Sequence, residues 1–121
     1  MLRGVFTDRK SPIAYGYDKA DLPVYFNQTP LFTVAAHAAP ANTRGPRVVM
    51  QLPADANDIL LSGSLANGRA LVNQPLIVDE PLGSGHIVMF ALRPFWRWQT
   101  QGAYSLVFNA ILHWNDLDLG Q

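Results

Sequence analysis

Two apolar runs joined by a glycine-bearing turn constrain this chain more than any other feature. Leu76-Ile77-Val78-Asp79-Glu80 and His86-Ile87-Val88-Met89-Phe90-Ala91-Leu92 flank Pro81-Leu82-Gly83-Ser84-Gly85. Runs this short, rich in β-branched and aromatic residues, read as strands. A five-residue connection with two glycines between them reads as a hairpin. Side chains alternate along a strand, so Ile87, Met89 and Ala91 point one way and Val88, Phe90 and Leu92 the other. Both sets are apolar, which predicts that the second strand lies inside a sheet covered on both faces and not at a wet edge.

The rest of the chain supplies partners for that hairpin. Residues 1–21 read as irregular, punctuated by Ser11-Pro12 and Tyr15-Gly16-Tyr17. The two tyrosines can lie on a surface or tuck under a loop, and the large area of an aromatic ring favours packing. Val24-Tyr25-Phe26 and Leu31-Phe32-Thr33-Val34 read as short strands, and Arg47 to Leu52 as another. Between them, Ala35 to Pro46 is small, polar and proline-bearing, a loop that carries His37 and is expected to be mobile. A short helix near Ser62–Ala70 is an option. Gln101 to Trp114 holds no proline and places Tyr104, Val107, Phe108, Ile111 and Leu112 at helical spacing, with Thr100 as the N-cap. That apolar stripe is wide enough to meet the sheet and a second surface too. The tail from Asn115 to Gln121 reads as frayed.

Charge and composition narrow the function classes. Of 121 residues 49% are hydrophobic and 15% charged, which suits a folded domain and argues against disorder. The formal charge is zero, which argues against a nucleic-acid or anionic-membrane partner, since both need a basic face. No apolar run approaches the roughly 20 residues of a membrane-spanning helix, and Met1-Leu2-Arg3-Gly4 opens no signal-peptide-like stretch. With no cysteine there is no disulfide, thiol nucleophile or thiolate metal site.

Catalytic constellations are missing as well. There is neither a Walker loop nor a dinucleotide fingerprint, and Gly83-Ser84-Gly85 joins two strands where a phosphate cradle would open a helix. Ser62-Gly63-Ser64 is a fragment of a nucleophile elbow. His37, His86 and His113 lack the mutual spacing of metal ligands. They read as a surface residue, a strand residue near a turn and a residue near a helix C-terminus, where the dipole favours the protonated form. Asp79 and Glu80 are adjacent on a strand and so face opposite ways, which rules out a shared-proton pair.

The segment Arg93-Pro94-Phe95-Trp96-Arg97-Trp98-Gln99-Thr100-Gln101-Gly102 stands apart. It follows the expected central strand at its carboxyl end, where α/β folds form ligand crevices. Tryptophan and arginine also dominate interface hot spots. Three readings of Arg93, Trp96, Arg97, Trp98 and Gln99 stand side by side. They are core packing with cation–π support, a docking surface, and a platform for a small ligand or glycan. Tyr15 and Tyr17 are secondary candidates for the same contact.

The stretch from Gly83 through Arg97, followed by Gln101-Gly102 and Leu106-Val107-Phe108-Asn109-Ala110-Ile111-Leu112, resembles the closing strand, loop and helix of class I glutamine-amidotransferase-like domains. More narrowly, it resembles the versions appended to M14-family zinc carboxypeptidases. Ser11-Pro12-Ile13-Ala14-Tyr15-Gly16-Tyr17 and Leu22-Pro23-Val24-Tyr25-Phe26 fit the same pattern, so the likeness runs over about four-fifths of the chain. The family's amidotransferases use a cysteine and a His-x-Glu pair. Here there is no cysteine, and His113-Trp114-Asn115 is not a His-x-Glu pair. The peptidase's His-x-x-Glu pair is absent too, and Glu80 is the sole glutamate. The resemblance therefore implies an inactive accessory domain, residues 1–121, forming the C-terminal part of a longer, secreted or periplasmic protein. Its partner would be the catalytic domain of the same polypeptide. Zinc is expected only in that separate peptidase domain, and no cofactor in this chain.

Together these readings predict an α+β fold, a mixed, mostly antiparallel sheet with a C-terminal helix packed on it. A three-layer α/β sandwich is the alternative. The functional expectation is a non-catalytic accessory or interaction domain that docks on an M14-like peptidase domain or positions its substrate. The rivals are a peptide- or glycan-binding module using the same aromatic residues, and a small hydrolase built on a pair such as His86 with Asp79.

Overall fold

The computed structural model describes residues 1–28, 30–35 and 44–121. His37 and most of the loop expected at Ala35 to Pro46 lie outside the described residues. Five strands form one antiparallel sheet: β1 (Leu2–Phe6), β2 (Asp21–Val24), β3 (Arg47–Gln51), β4 (Pro75–Leu82) and β5 (Gly85–Phe90), in the spatial order β2-β1-β3-β4-β5. One α-helix, α1 (Tyr104–Leu112), closes the chain behind a 3-10 turn at Gln101–Ala103. This is the α+β fold expected, with every strand pairing antiparallel rather than mixed.

The hairpin forms, but tighter than its sequence suggested. Leu82 pairs with Gly85, so the turn proper is Gly83-Ser84, with Gly83 at φ +61° where a side chain would be strained. The doubly apolar run is also not central. β4 occupies the inner position, with Leu76, Ile77, Val78 and Asp79 all buried, whereas β5 is an edge strand with Ile87 47% exposed. Among the described residues, Val88 and Phe90 of β5 line a cavity together with Val107, Ile111, Trp114 and Leu117 of the helix and tail.

β1 lies where irregular chain was expected. Leu2, Gly4 and Phe6 are buried and alternate with half-buried Arg3 and Val5, the period-2 pattern of a strand. Gly4 has a packing reason to be glycine, because a Cβ there would stand 2.5 Å from the Met50 sulfur and 3.3 Å from Leu76 Cδ1. β2 begins three residues before the expected Val24 and includes Pro23, which an edge strand tolerates because it need not donate on its open side. Leu31–Val34 is not a strand. Near Ser62–Ala70 the chain makes a 3-10 turn at Gly68–Leu71 instead of an α-helix.

After β5 the chain leaves its own edge and runs to the other side of the sheet, where the Arg93 N–H donates to the Tyr25 carbonyl at 2.9 Å. The 3-10 turn at Gln101–Ala103 sits beside β2, and α1 then packs on a second 3-10 turn, Pro12–Ala14. Asn109 fastens that contact by donating to the carbonyls of Ile13 at 3.0 Å and Tyr15 at 2.8 Å. Leu106 and Ala103 complete a core with Leu2, Ile13, Val24, Met50, Leu52, Ile59, Leu76 and Ile77. Thr100 does not cap the helix: its side chain makes no capping bond, and its hydroxyl is buried without a partner among the described residues.

The tail is held, not frayed. Leu117 is buried, and the Arg47 side chain donates to the Leu117 carbonyl at 3.0 Å and the Leu119 carbonyl at 2.8 Å. Arg47 is itself nearly inaccessible and pairs with Asp8 at 2.5 Å. Gly120, at φ +79°, lets the turn approach Lys10, whose carbonyl oxygen would lie 2.6 Å from a Cβ. A short apolar tail rich in aspartate gives no sequence signal of this kind, because the anchor is an arginine far away in the chain.

Candidate functional site

The aromatic segment is irregular from Ala91 to Thr100 and follows the edge strand β5, not a central strand as expected. Trp96 is its fixed element. Tyr25 stacks on it with centroids 5.6 Å apart and planes 8° from parallel. The guanidinium of Arg93 lies 4.9 Å and that of Arg97 5.7 Å from the Trp96 ring centroid. Core packing with cation–π support therefore describes Trp96 and Arg93, which are both half-buried.

Arg97 and Trp98 behave differently. Both take positive φ, +45° and +63°, a conformation that costs non-glycine residues roughly 1–2 kcal/mol each. A Gln99 N–H to Trp96 carbonyl bond of 2.8 Å closes this turn. The result turns Trp98 outward with 79% of its surface exposed, alongside exposed Arg97 and Gln99. A large apolar ring held in solvent by strained backbone is what a binding surface requires and a core does not.

The exposed apolar surface continues onto the helix. Phe95 is half-exposed and its ring lies 5.3 Å from Tyr104 and 5.7 Å from Phe108. Phe108, Ile111 and Leu112, at i, i+3 and i+4, are all exposed, and Trp114 follows them. The second surface expected of the wide helical stripe is thus solvent-facing. The wide stripe signalled exposed Phe108, Ile111 and Leu112, whereas the exposure of Trp114 beyond the helix had no sequence signal.

The tyrosines divide. Tyr17 packs on Phe6 with centroids 5.0 Å apart and donates its hydroxyl proton to the Gly102 carbonyl, at the end of the aromatic segment. Burial pushes its hydroxyl above the ordinary 10.0, outweighing its hydrogen bonds. It supports the loop from beneath. Tyr15 is exposed, but lies against His113 at the far end of α1, 5.4 Å between centroids, and is not brought to Trp98.

A second cluster gathers at the hairpin. His86 Nδ1 lies 2.7 Å from the buried Asp79 carboxylate, and its Nε2 lies 3.3 Å from Asp118, which also pairs with Arg44. Arg44, with His86 a smaller influence, holds the Asp118 carboxyl below its ordinary 3.8. A cavity of about 390 Å³ opens beside them, lined by Arg44, Gly83, Ser84, Gly85, His86 and Asp118. Asp79 indeed points away from Glu80, which is half-exposed. An Asp–His pair of this kind can orient a general base. Here the outer nitrogen already faces a carboxylate, which cannot serve as a nucleophile's proton-bearing group.

Among the described residues, no group of three or more His, Asp or Glu side chains could hold a metal ion, and no helix is long and apolar enough to cross a membrane. The chain matches no family model, no curated protein and no solved structure.

Proposed function

We propose that this chain is a non-catalytic accessory domain that docks on a catalytic domain of the M14 zinc-carboxypeptidase type, to which its sequence points by resemblance. The observation that carries the reading is the outward Trp98, 79% exposed and presented at an energetic cost, in a chain that also exposes Phe95, Phe108, Ile111, Leu112 and Trp114. Isolated exposed apolar residues are ordinary, whereas several large exposed aromatic and aliphatic residues, two of them tryptophans, support an interaction role. Trp98 and Phe95 form the apolar centre, with Arg97 as a charged neighbour that favours an acidic counterpart. Chemistry, and zinc with it, belong to the partner. Tyr25, Arg93 and Tyr17 hold the loop and do not make the contact.

The test is binding between this chain and an M14-type peptidase domain encoded in the same reading frame or beside it, measured by calorimetry. Trp98→Ala and Arg97→Glu should each weaken the complex by at least tenfold, about 1.4 kcal/mol. A glycan- or peptide-binding module would instead bind its ligand with no peptidase present and quench Trp98 fluorescence. Unaltered affinity in both variants refutes the docking surface.

A further inference from the structure

His86 stands between two carboxylates drawn from different parts of the chain. Its Nδ1 faces Asp79 of β4 at 2.7 Å, and its Nε2 faces Asp118 of the C-terminal turn at 3.3 Å. A neutral imidazole carries one N–H and can donate to only one of them. Bonding both requires two protons on the Asp79–His86 pair, either as imidazolium with carboxylate or as imidazole with carboxylic acid. The surrounding charges agree. From the segment entering β3, Arg44 pairs with Asp118; on β3 itself, Arg47 stands opposite Asp79 in the register and pairs with Asp8. Two arginines against Asp8, Asp79 and Asp118 leave one negative charge, which one extra proton on the His86 pair neutralises.

We propose that His86 is a proton-operated latch that fastens the C-terminal turn, residues 113–121, across one end of the groove between β5 and α1. That groove, about 610 Å³, is walled by Val88, Phe90, Val107, Ile111 and Trp114 and is closed at one end by Leu117 and Asp118. When the proton leaves, the bond to the buried Asp79 survives because breaking it would strand a buried charge. The bond to half-exposed Asp118 is the one lost, and two acceptors then face each other. Leu117 and the two carbonyl bonds from Arg47 still hold the turn. Raising the pH until that proton leaves therefore loosens the strap without unfolding the sheet. Looser strap means a longer accessible apolar groove next to β5, the outermost strand among the described residues. The latch stands on this geometry alone and does not depend on the docking reading.

Hydrogen exchange of the amides of residues 113–121, corrected for the intrinsic pH dependence of exchange, tests it between pH 5.5 and 8. The expected result is a fall in protection of about fivefold to tenfold across that range, the loss of one charge-assisted hydrogen bond at a partly exposed site. Asp118→Ala should start at the loosened level and show no such fall. Asp118 is half-exposed, so this variant keeps the fold even if His86→Gln does not. Protection independent of pH in the unaltered chain, or an undiminished pH dependence in Asp118→Ala, overturns the proposal.

Discussion

Replacing Arg47 by methionine is the most informative single perturbation of the fold. Methionine fills much of the aliphatic volume but donates nothing, so Asp8 loses its cationic partner, keeping the Lys10 amide, and the Leu117 and Leu119 carbonyls lose their donor. Breaking a buried ion pair by removing one member costs about 3–5 kcal/mol. Asp8 keeps some contact with water, its side chain being 26% exposed, so the low end applies, about 3 kcal/mol. At ~2.1 cal/mol/K per residue, the unfolding entropy gives a drop in Tm of about 12 °C for this chain length. Circular dichroism melts at pH 7 measure it, with urea titration as the isothermal check. A pH series adds a second, independent readout. Burial would raise the Asp8 carboxyl, but its hydrogen bond from Arg47, with the Lys10 amide, holds it below 3.8. A lowered folded value means that the stabilisation is complete above the ordinary carboxylate range and is lost as the pH falls through the folded value. Arg47→Met should therefore lose less stability on acidification than the unaltered chain. A change in Tm under about 4 °C with an unaltered acid limb would refute the claim that Arg47 anchors the tail.

Other substitutions separate core from surface. Gly4→Ala should cost about 1–3 kcal/mol in urea denaturation, because the new methyl meets fully buried Met50 and Leu76, which must repack to admit it. Leu106→Ala removes the fully buried residue by which α1 meets the core and should cost about 3 kcal/mol in the same assay. Trp98→Ala, by contrast, should move stability by less than about 0.5 kcal/mol, since the ring contributes little to the core, while it weakens the proposed docking by at least tenfold.

What the sequence disclosed follows from where the energy sits. β3, β4, β5 and the helix announce themselves through runs of Val, Ile, Leu and Phe, since burial of apolar area is local to each run. β1 is masked because its central inward position is Gly4, which contributes no hydrophobic signal, although Leu2 and Phe6 two residues either side keep the alternation. The edge position of β5 could not be read from its two apolar faces: Ile87 is simply left exposed, and strand order depends on pairings between segments far apart in the chain. The same distance hides the tail's anchorage, because Arg47 and Leu117 are 70 residues apart. At the site, composition marked the loop of Arg93 to Gln99, but only backbone geometry separates the stacked Trp96 from the outward Trp98. The sequence offered His86 with Asp79 only as an example of a pair; the register that sets His86 opposite Pro81 brings it diagonally to Asp79, and Asp118 joins them through the fold of the terminal turn.

The docking reading turns on which surface of this chain a peptidase domain covers. Hydrogen-exchange footprinting of this chain with and without that domain reads the surface residue by residue. Slowed exchange confined to residues 93–99 and the α1 segment beyond them is the result expected. Slowed exchange elsewhere with this region unchanged, or hydrolysis of a peptide by this chain alone, would contradict it.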